Sequence, residues 1–173
     1  MRRHRRMMLT VIVALLLAPL VATPLSSVAA QPQTLPPWRE ALPEARRTAE
    51  ITVGTTPVLV DLALTPDQQQ LGLGYRNGLV EGTGMLFVFP ESSERSFWMK
   101  GMRFCLDIIW IEGGEIAGAA ESACPDPTGT PDAERETYPS SGPASLVLEM
   151  PAGWLRANGY GPGTAVVMPE GLS

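Results

Sequence analysis

Histidine is the first side chain to seek in a hydrolytic or metal site, and this chain has one, His4, near its start. His4 lies in a segment that reads as a removable leader, so the mature protein is expected to hold no imidazole. That excludes Ser-His-Asp and Cys-His catalysis and the commonest zinc ligands. Two cysteines without histidine do not build a structural zinc site, and no metal or cofactor is expected. The acidic residues Asp126, Asp132, Glu134 and Glu136 lack the regular spacing of a calcium loop.

Cys105 and Cys124 are the only cysteines. In an exported chain such a pair oxidises. Their spacing is not Cys-x-x-Cys, and no neighbouring charges would lower a thiol pKa. If Glu112 faces Glu115 across Gly113-Gly114, then Cys105 faces Ser122, and Cys124 lies one diagonal step away on the same sheet face. A small bend near Pro125 would bring the pair to disulfide distance. Closing a loop of about 20 residues stabilises a fold by roughly 3 kcal/mol in the chain-entropy description.

Asp107 and Glu149 are carboxylates inside otherwise apolar runs. Alternation puts Asp107 on the face of Ile109 and Ile111, and Glu149 on the face of Val147. A buried carboxylate must find donors or a cation, and Arg76, Lys100 and Arg103 are the available cations. Three roles follow: a structural bond to a cation or to backbone amides, a polar cluster lining a pocket, or an acid-base pair for hydrolysis. In Phe97-Trp98-Met99-Lys100, alternation puts Phe97 and Met99 on one face and Trp98 with Lys100 on the other. Trp98 either floors a ligand site or covers an edge of the core. Trp154 and Tyr160 are expected to pack down a short helix.

The elements that must position these residues are mostly strands. Glu50–Val53 and Pro57–Leu64 read as two strands, the second with clean alternation. Thr65-Pro66-Asp67-Gln68 is a helix start, with a capping threonine, proline at the first position and glutamine at the capping-box position. Met85–Phe89, bounded by Gly84 and Pro90, reads as a buried strand, and Ser96–Lys100 as another. Leu106–Ile111 and Glu115–Glu121 flank Gly113-Gly114, a hairpin signal. Residues 125–143, with five prolines, read as a long loop, either functional or mobile. Ala144–Met150 is a strand, Pro151–Asn158 a short helix and Thr164–Met168 the last strand. The pattern predicts a mainly β domain, barrel-like or sandwich-like, with one or two short helices.

The front of the chain has basic Met1–Arg6, an apolar run from Leu9 to Ala22, and Val28-Ala29-Ala30 before Gln31. That is the order of a secretory signal, and the apolar run is short for a bilayer. An uncleaved anchor is the rival reading. The expected organisation is a signal peptide over 1–30, a proline-rich linker over 31–48 and a β-rich globular domain over 49–173. Four of the 13 basic residues sit in the leader, so removing it leaves nine against 18 acidic residues and a net charge of −9. Such a surface repels phosphate backbones, which argues against nucleic acid as a partner.

An ordered set of segments resembles a known family. They are Gly72-Leu73-Gly74-Tyr75-Arg76, Gly84-Met85-Leu86-Phe87-Val88-Phe89, Phe97-Trp98-Met99-Lys100, Leu106-Asp107-Ile108-Ile109-Trp110-Ile111, and Leu146-Val147-Leu148-Glu149 with Ala152-Gly153. Together they resemble the domain of unknown function 192 family, also called uncharacterised protein family 0127, over about Ala49 to Met168. The resemblance implies a compact β-rich domain, often behind an export signal, and it implies no activity. Where this chain has Gly74, Gly101-Met102 and Cys105, the family usually has Met, Asn-Thr and Pro.

The leading expectation is a non-enzymatic extracytoplasmic binding or accessory domain, secreted or envelope-associated. Its ligand site would lie near Arg76, Trp98, Lys100, Asp107 and Glu149. The partner would be a small molecule or an envelope component, with membrane contact only through an uncleaved leader, and a monomer is expected. The alternatives are a carboxylate-based hydrolase using Asp107 and Glu149, and an envelope structural domain using the 125–143 loop.

Overall fold

Hydrophobic alternation becomes sheet along most of the described chain. The computed structural model describes residues 48–172; the expected signal peptide and all but the last residue of the expected linker lie outside the described residues. The elements are β1 (Thr48–Val53), β2 (Thr56–Ala63), α1 (Pro66–Leu71), β3 (Thr83–Trp98), β4 (Leu106–Glu112), β5 (Glu115–Ala123), β6 (Thr137–Pro151), α2 (Trp154–Asn158) and β7 (Val166–Val167). The mainly β expectation holds.

The strands form a seven-stranded sheet in the order β5-β4-β6-β3-β2-β1-β7. Only β2 and β3 pair in parallel, and α1 lies in the crossover between them. The sheet curls into a half-barrel whose outer strands meet at one end. There Ile116 N–H donates to Thr164 O at 2.9 Å and Val166 N–H donates to Gly114 O at 2.8 Å. These bonds satisfy backbone groups that an open edge would leave exposed.

Each face of the sheet carries its own apolar cluster. One holds Val60, Leu86, Ile109, Ile111 and Leu148, with Leu155 of α2 packed on it. The other holds Met85, Phe87, Met99, Ile108 and Val147. A sheet covered on both sides needs strands apolar at nearly every position, and β4 fits, buried from Leu106 through Ile111 with Asp107 its one polar side chain there. Helix α1 starts where its sequence predicts. Thr65 accepts from Gln68 N–H, and the Gln68 side chain accepts from Thr65 N–H, which completes the capping box.

Two expectations about strand length are corrected. β3 runs unbroken from Thr83 through Pro90 to Trp98, instead of stopping at Phe89 and restarting at Ser96. β6 begins at Thr137 and passes through Pro139 and Pro143, so it takes in the last part of the expected 125–143 loop. The register between the two strands shifts between Val88 and Ser93 and again between Glu94 and Ser96. Pro90 falls in the first interruption, where its missing N–H breaks no ladder bond. The shortened loop is pinned by charge: Arg135 reaches Asp126 at 3.1 Å and Asp132 at 3.0 Å, and Lys100 also reaches Asp132.

Bulges decide the hairpin chemistry. Glu112 faces Glu115 across the Gly113-Gly114 turn as expected, but the register then slips twice, bringing Leu106 opposite Ala123. The next pair along is Cys105 and Cys124, and they form a disulfide with an S–S distance of 2.01 Å. The two slips, rather than a bend near Pro125, supply the closure.

Candidate functional site

The two conspicuous carboxylates part company in the structure. Asp107 pairs in register with Met150, and Ile108 with Glu149. Neighbouring residues of a strand point to opposite faces, so Asp107 and Glu149 lie on opposite sides of the sheet. Asp107 is wholly buried. Its Oδ1 accepts from Ser122 N–H at 2.9 Å and Gly153 N–H at 3.0 Å, and its Oδ2 accepts from Leu155 N–H at 3.0 Å. Gly153 is the N-cap of α2 and brings no side-chain acceptor, so Asp107 caps that helix from another strand. The same carboxylate holds Ser122, whose φ of 57° marks the bulge in β5. Asp107 is a structural residue and forms no acid-base pair with Glu149.

Arg76 also leaves the expected cluster. Its guanidinium donates to Asp61 of β2 at 2.6 Å, and it does not line the cleft described next. Of the five residues expected at a site, the structure brings together Trp98, Lys100 and Glu149.

These three line an open cleft of about 360 Å³. One wall is α1 with the turn that follows it, Gln69 to Leu73, and the other is the outer half of β3, Glu94 to Trp98. Gln69 fastens the first wall to the sheet: its side-chain amide donates to Val88 O at 2.9 Å and Ala63 O at 3.4 Å. Phe87 and Phe97 meet edge to face with centroids 5.0 Å apart, a favoured aromatic geometry. Glu149 lies at the base, 5% exposed. Trp98, 39% exposed, and Lys100 stand at the mouth.

Two cations lie over aromatic rings beside the mouth, and the exposed Glu94 also lines the cleft. Lys100 Nζ lies 5.0 Å over the Trp98 ring, and the Arg95 guanidinium lies 3.8 Å over the Phe89 ring. Arg95 is further fixed by donating to Ala144 O at 3.1 Å and to Glu91 O. The Lys100 ammonium, with Arg135 behind it, holds the Asp132 carboxyl below its usual range. Sequence reasoning missed Gln69 and Arg95. The periodicity of α1 gives no hint that a glutamine reaches across to β3, and Arg95 falls in a stretch broken by the bulges. Among the described residues no cluster of His, Cys, Asp and Glu could hold a metal ion. No helix among them is long and apolar enough to cross a membrane.

The curled sheet and its side cleft define a small half-barrel domain with a ligand-sized opening. The chain belongs to the domain of unknown function 192 family: the model of that family, described as Uncharacterized ACR, matches residues 48–168. Two solved structures are similar. A protein from Sinorhizobium meliloti 1021, provisionally described as a transcription regulator, is 28% identical with a TM-score of 0.65, covering 72% of this chain and 95% of its own. A protein of unknown function from Novosphingobium aromaticivorans DSM 12444 is 26% identical with a TM-score of 0.61, covering 78% and 99%. No curated protein matches the chain.

Of the three departures from the family pattern, Cys105 is in the disulfide. Gly101 sits at φ +74°, where a Cβ would press on the Tyr75 ring at 3.0 Å.

Proposed function

We propose that this protein is a non-enzymatic binding domain working outside the cytoplasm, and that its ligand sits in the cleft between α1 and the outer half of β3. The observation that carries the reading is the cleft itself. It is concave, and aromatic rings and polar side chains share its walls; concave openings of about 300–1,000 Å³ are where small molecules bind. The disulfide and the leader-like front support export. Once the leader is gone, 18 acidic residues face nine basic ones. That charge disfavours DNA, so the provisional description of the Sinorhizobium relative is not carried over.

A nuclear magnetic resonance screen of the full chain against metabolites and sugars tests the reading. A ligand should shift the Trp98 indole and the Lys100 and Leu73 amides in a saturable way. Trp98→Ala and Lys100→Ala should keep the fold and lose the ligand. If no compound moves those signals, or if both variants unfold, the reading fails.

A further inference from the structure

We infer that Asn77-Gly78 is a self-modifying site, at which the Gly78 backbone nitrogen closes on the Asn77 side chain with help from Arg103 and turns the amide into a carboxylate. The site is separate from the cleft and does not depend on a ligand there.

The reaction needs a backbone nitrogen free to attack and a side-chain carbonyl open to it. Glycine favours it, because its backbone turns freely and no Cβ crowds the approach. The chain has two such pairs, Asn77-Gly78 and Asn158-Gly159. Asn77 and Gly78 lie exposed between α1 and β3, outside any helix or strand. Among the described residues the Gly78 N–H and the Asn77 Nδ2 meet no acceptor. A Cβ built on Gly78 would touch nothing within 4 Å, so the attack has room. Arg103 donates from Nη1 to Asn77 Oδ1 at 2.7 Å. That bond polarises the carbonyl and sets a cation where the tetrahedral intermediate places its negative oxygen. The same charge favours loss of the proton from the attacking amide.

Asn158-Gly159 has the same sequence and opposite surroundings. The Gly159 N–H is committed to the carbonyls of Arg156 and Leu155 as the C-cap of α2. The Asn158 Nδ2 donates to Trp154 O at 2.8 Å, and the Thr56 hydroxyl donates to its Oδ1 at 3.4 Å. Attack there would first have to break the helix cap. At Asn77 the bond from Gly78 N to Asn77 Cγ forms, the Cγ–Nδ2 bond breaks, and ammonia leaves with the Gly78 amide proton. Water then opens the succinimide ring to aspartate, or to isoaspartate when it attacks the other carbonyl. Either product sets a carboxylate beside the Arg103 guanidinium, a stronger hydrogen-bond acceptor than the amide it replaces. It also adds one negative charge to the loop that follows the Leu73 wall of the cleft.

The test incubates the full chain in mildly alkaline buffer and follows each asparagine by mass spectrometry of its peptides. In the folded protein Asn77 should convert about tenfold or more faster than Asn158. In urea, where the surroundings of both pairs are lost, the two rates should converge. Gly78→Ala should stop the conversion at 77 with Tm unchanged, because the added methyl meets nothing in the fold. Arg103→Gln should slow it about threefold or more, whereas Arg103→Lys, which keeps the charge, should retain most of the rate. The inference is overturned if Asn77 stays an amide in the folded protein while the urea sample converts, or if Asn158 reacts as fast as Asn77. A rate in Gly78→Ala or Arg103→Gln equal to the wild type overturns it as well.

Discussion

Asp107→Asn separates a structural carboxylate from a catalytic one. The Asp107 Oδ1 serves Ser122 and Gly153, and its Oδ2 serves Leu155. Asparagine can keep the first two bonds only by turning its amide NH2 toward the Leu155 N–H, so that two donors face each other. A buried donor left without an acceptor costs about 1–3 kcal/mol, and a hydrogen bond to a charged group is lost besides. The expected penalty is about 3–5 kcal/mol. For a domain of this size that lowers Tm by roughly 10–20 °C. Asp107→Ala should cost more, because it orphans all three N–H groups and leaves a void. Urea unfolding followed by tryptophan fluorescence gives the free energy, and an unchanged slope shows that the loss is in stability. The folded fraction of Asp107→Asn should still bind any ligand of the cleft, because Asp107 faces the other side of the sheet. A variant within about 0.5 kcal/mol of the wild type, the ordinary range for substitutions at uninvolved surface positions, would refute the capping role.

Replacing both Cys105 and Cys124 by serine should lower stability by about 3 kcal/mol, read by urea unfolding beside the oxidised protein, whose mass should rise by two hydrogens on reduction. Gly84→Ala should cost more than about 2 kcal/mol, because a Cβ there would lie 2.8 Å from the Glu149 carbonyl oxygen and 2.5 Å from the Met150 sulfur; a Tm equal to the wild type would show that this strand contact is looser than described. Acid should destabilise the fold through Glu112, whose carboxyl is held below its ordinary 4.5 chiefly by the Ser92 hydroxyl and also by Ser145, and through Asp132, held below 3.8 chiefly by Lys100. A lowered folded pKa stabilises above the unfolded value and is lost as pH falls through the folded one. Tm should therefore hold down to about pH 5 and drop below pH 4, and Glu112→Gln should flatten part of that drop.

Local rules made the ends of elements legible in the sequence. The Thr65 capping box, the Gly113-Gly114 turn and the facing of Val147 and Glu149 all follow from a few neighbouring residues, and all hold. So does the division of Phe97 and Met99 from Trp98, since both Phe97 and Met99 pack in the cluster that Trp98 leaves. What the sequence hid was register. Proline at 90, 139 and 143 argues against strand, yet Pro90 falls in the interruption between Val88 and Ser93, and Pro143 and Pro139 pair with Glu94 and Ser96 on either side of the second one. The site was half legible for the same reason. Trp98, Lys100 and Glu149 were flagged by their type, but the separation of Asp107 from Glu149 depends on pairing across strands. Arg76 could be assigned only by knowing that β2 lies beside β3 and presents Asp61.

The position of β6 has a consequence for how the chain is made. It lies between β3 and β4, both of which precede it in the chain. As the polypeptide emerges from its N-terminus, β3 and β4 each wait for residues 137–151 with one edge bare. The β4–β5 hairpin pairs strand to strand before the later residues exist and can lock its sulfur bridge while the rest is still arriving. The growing chain therefore passes through a stage that is half covalently set and half adhesive, and it has most need then of a chaperone that shields strand edges. A truncation before Thr137 should leave the molecule in that stage permanently, and it should aggregate rather than fold into a smaller domain.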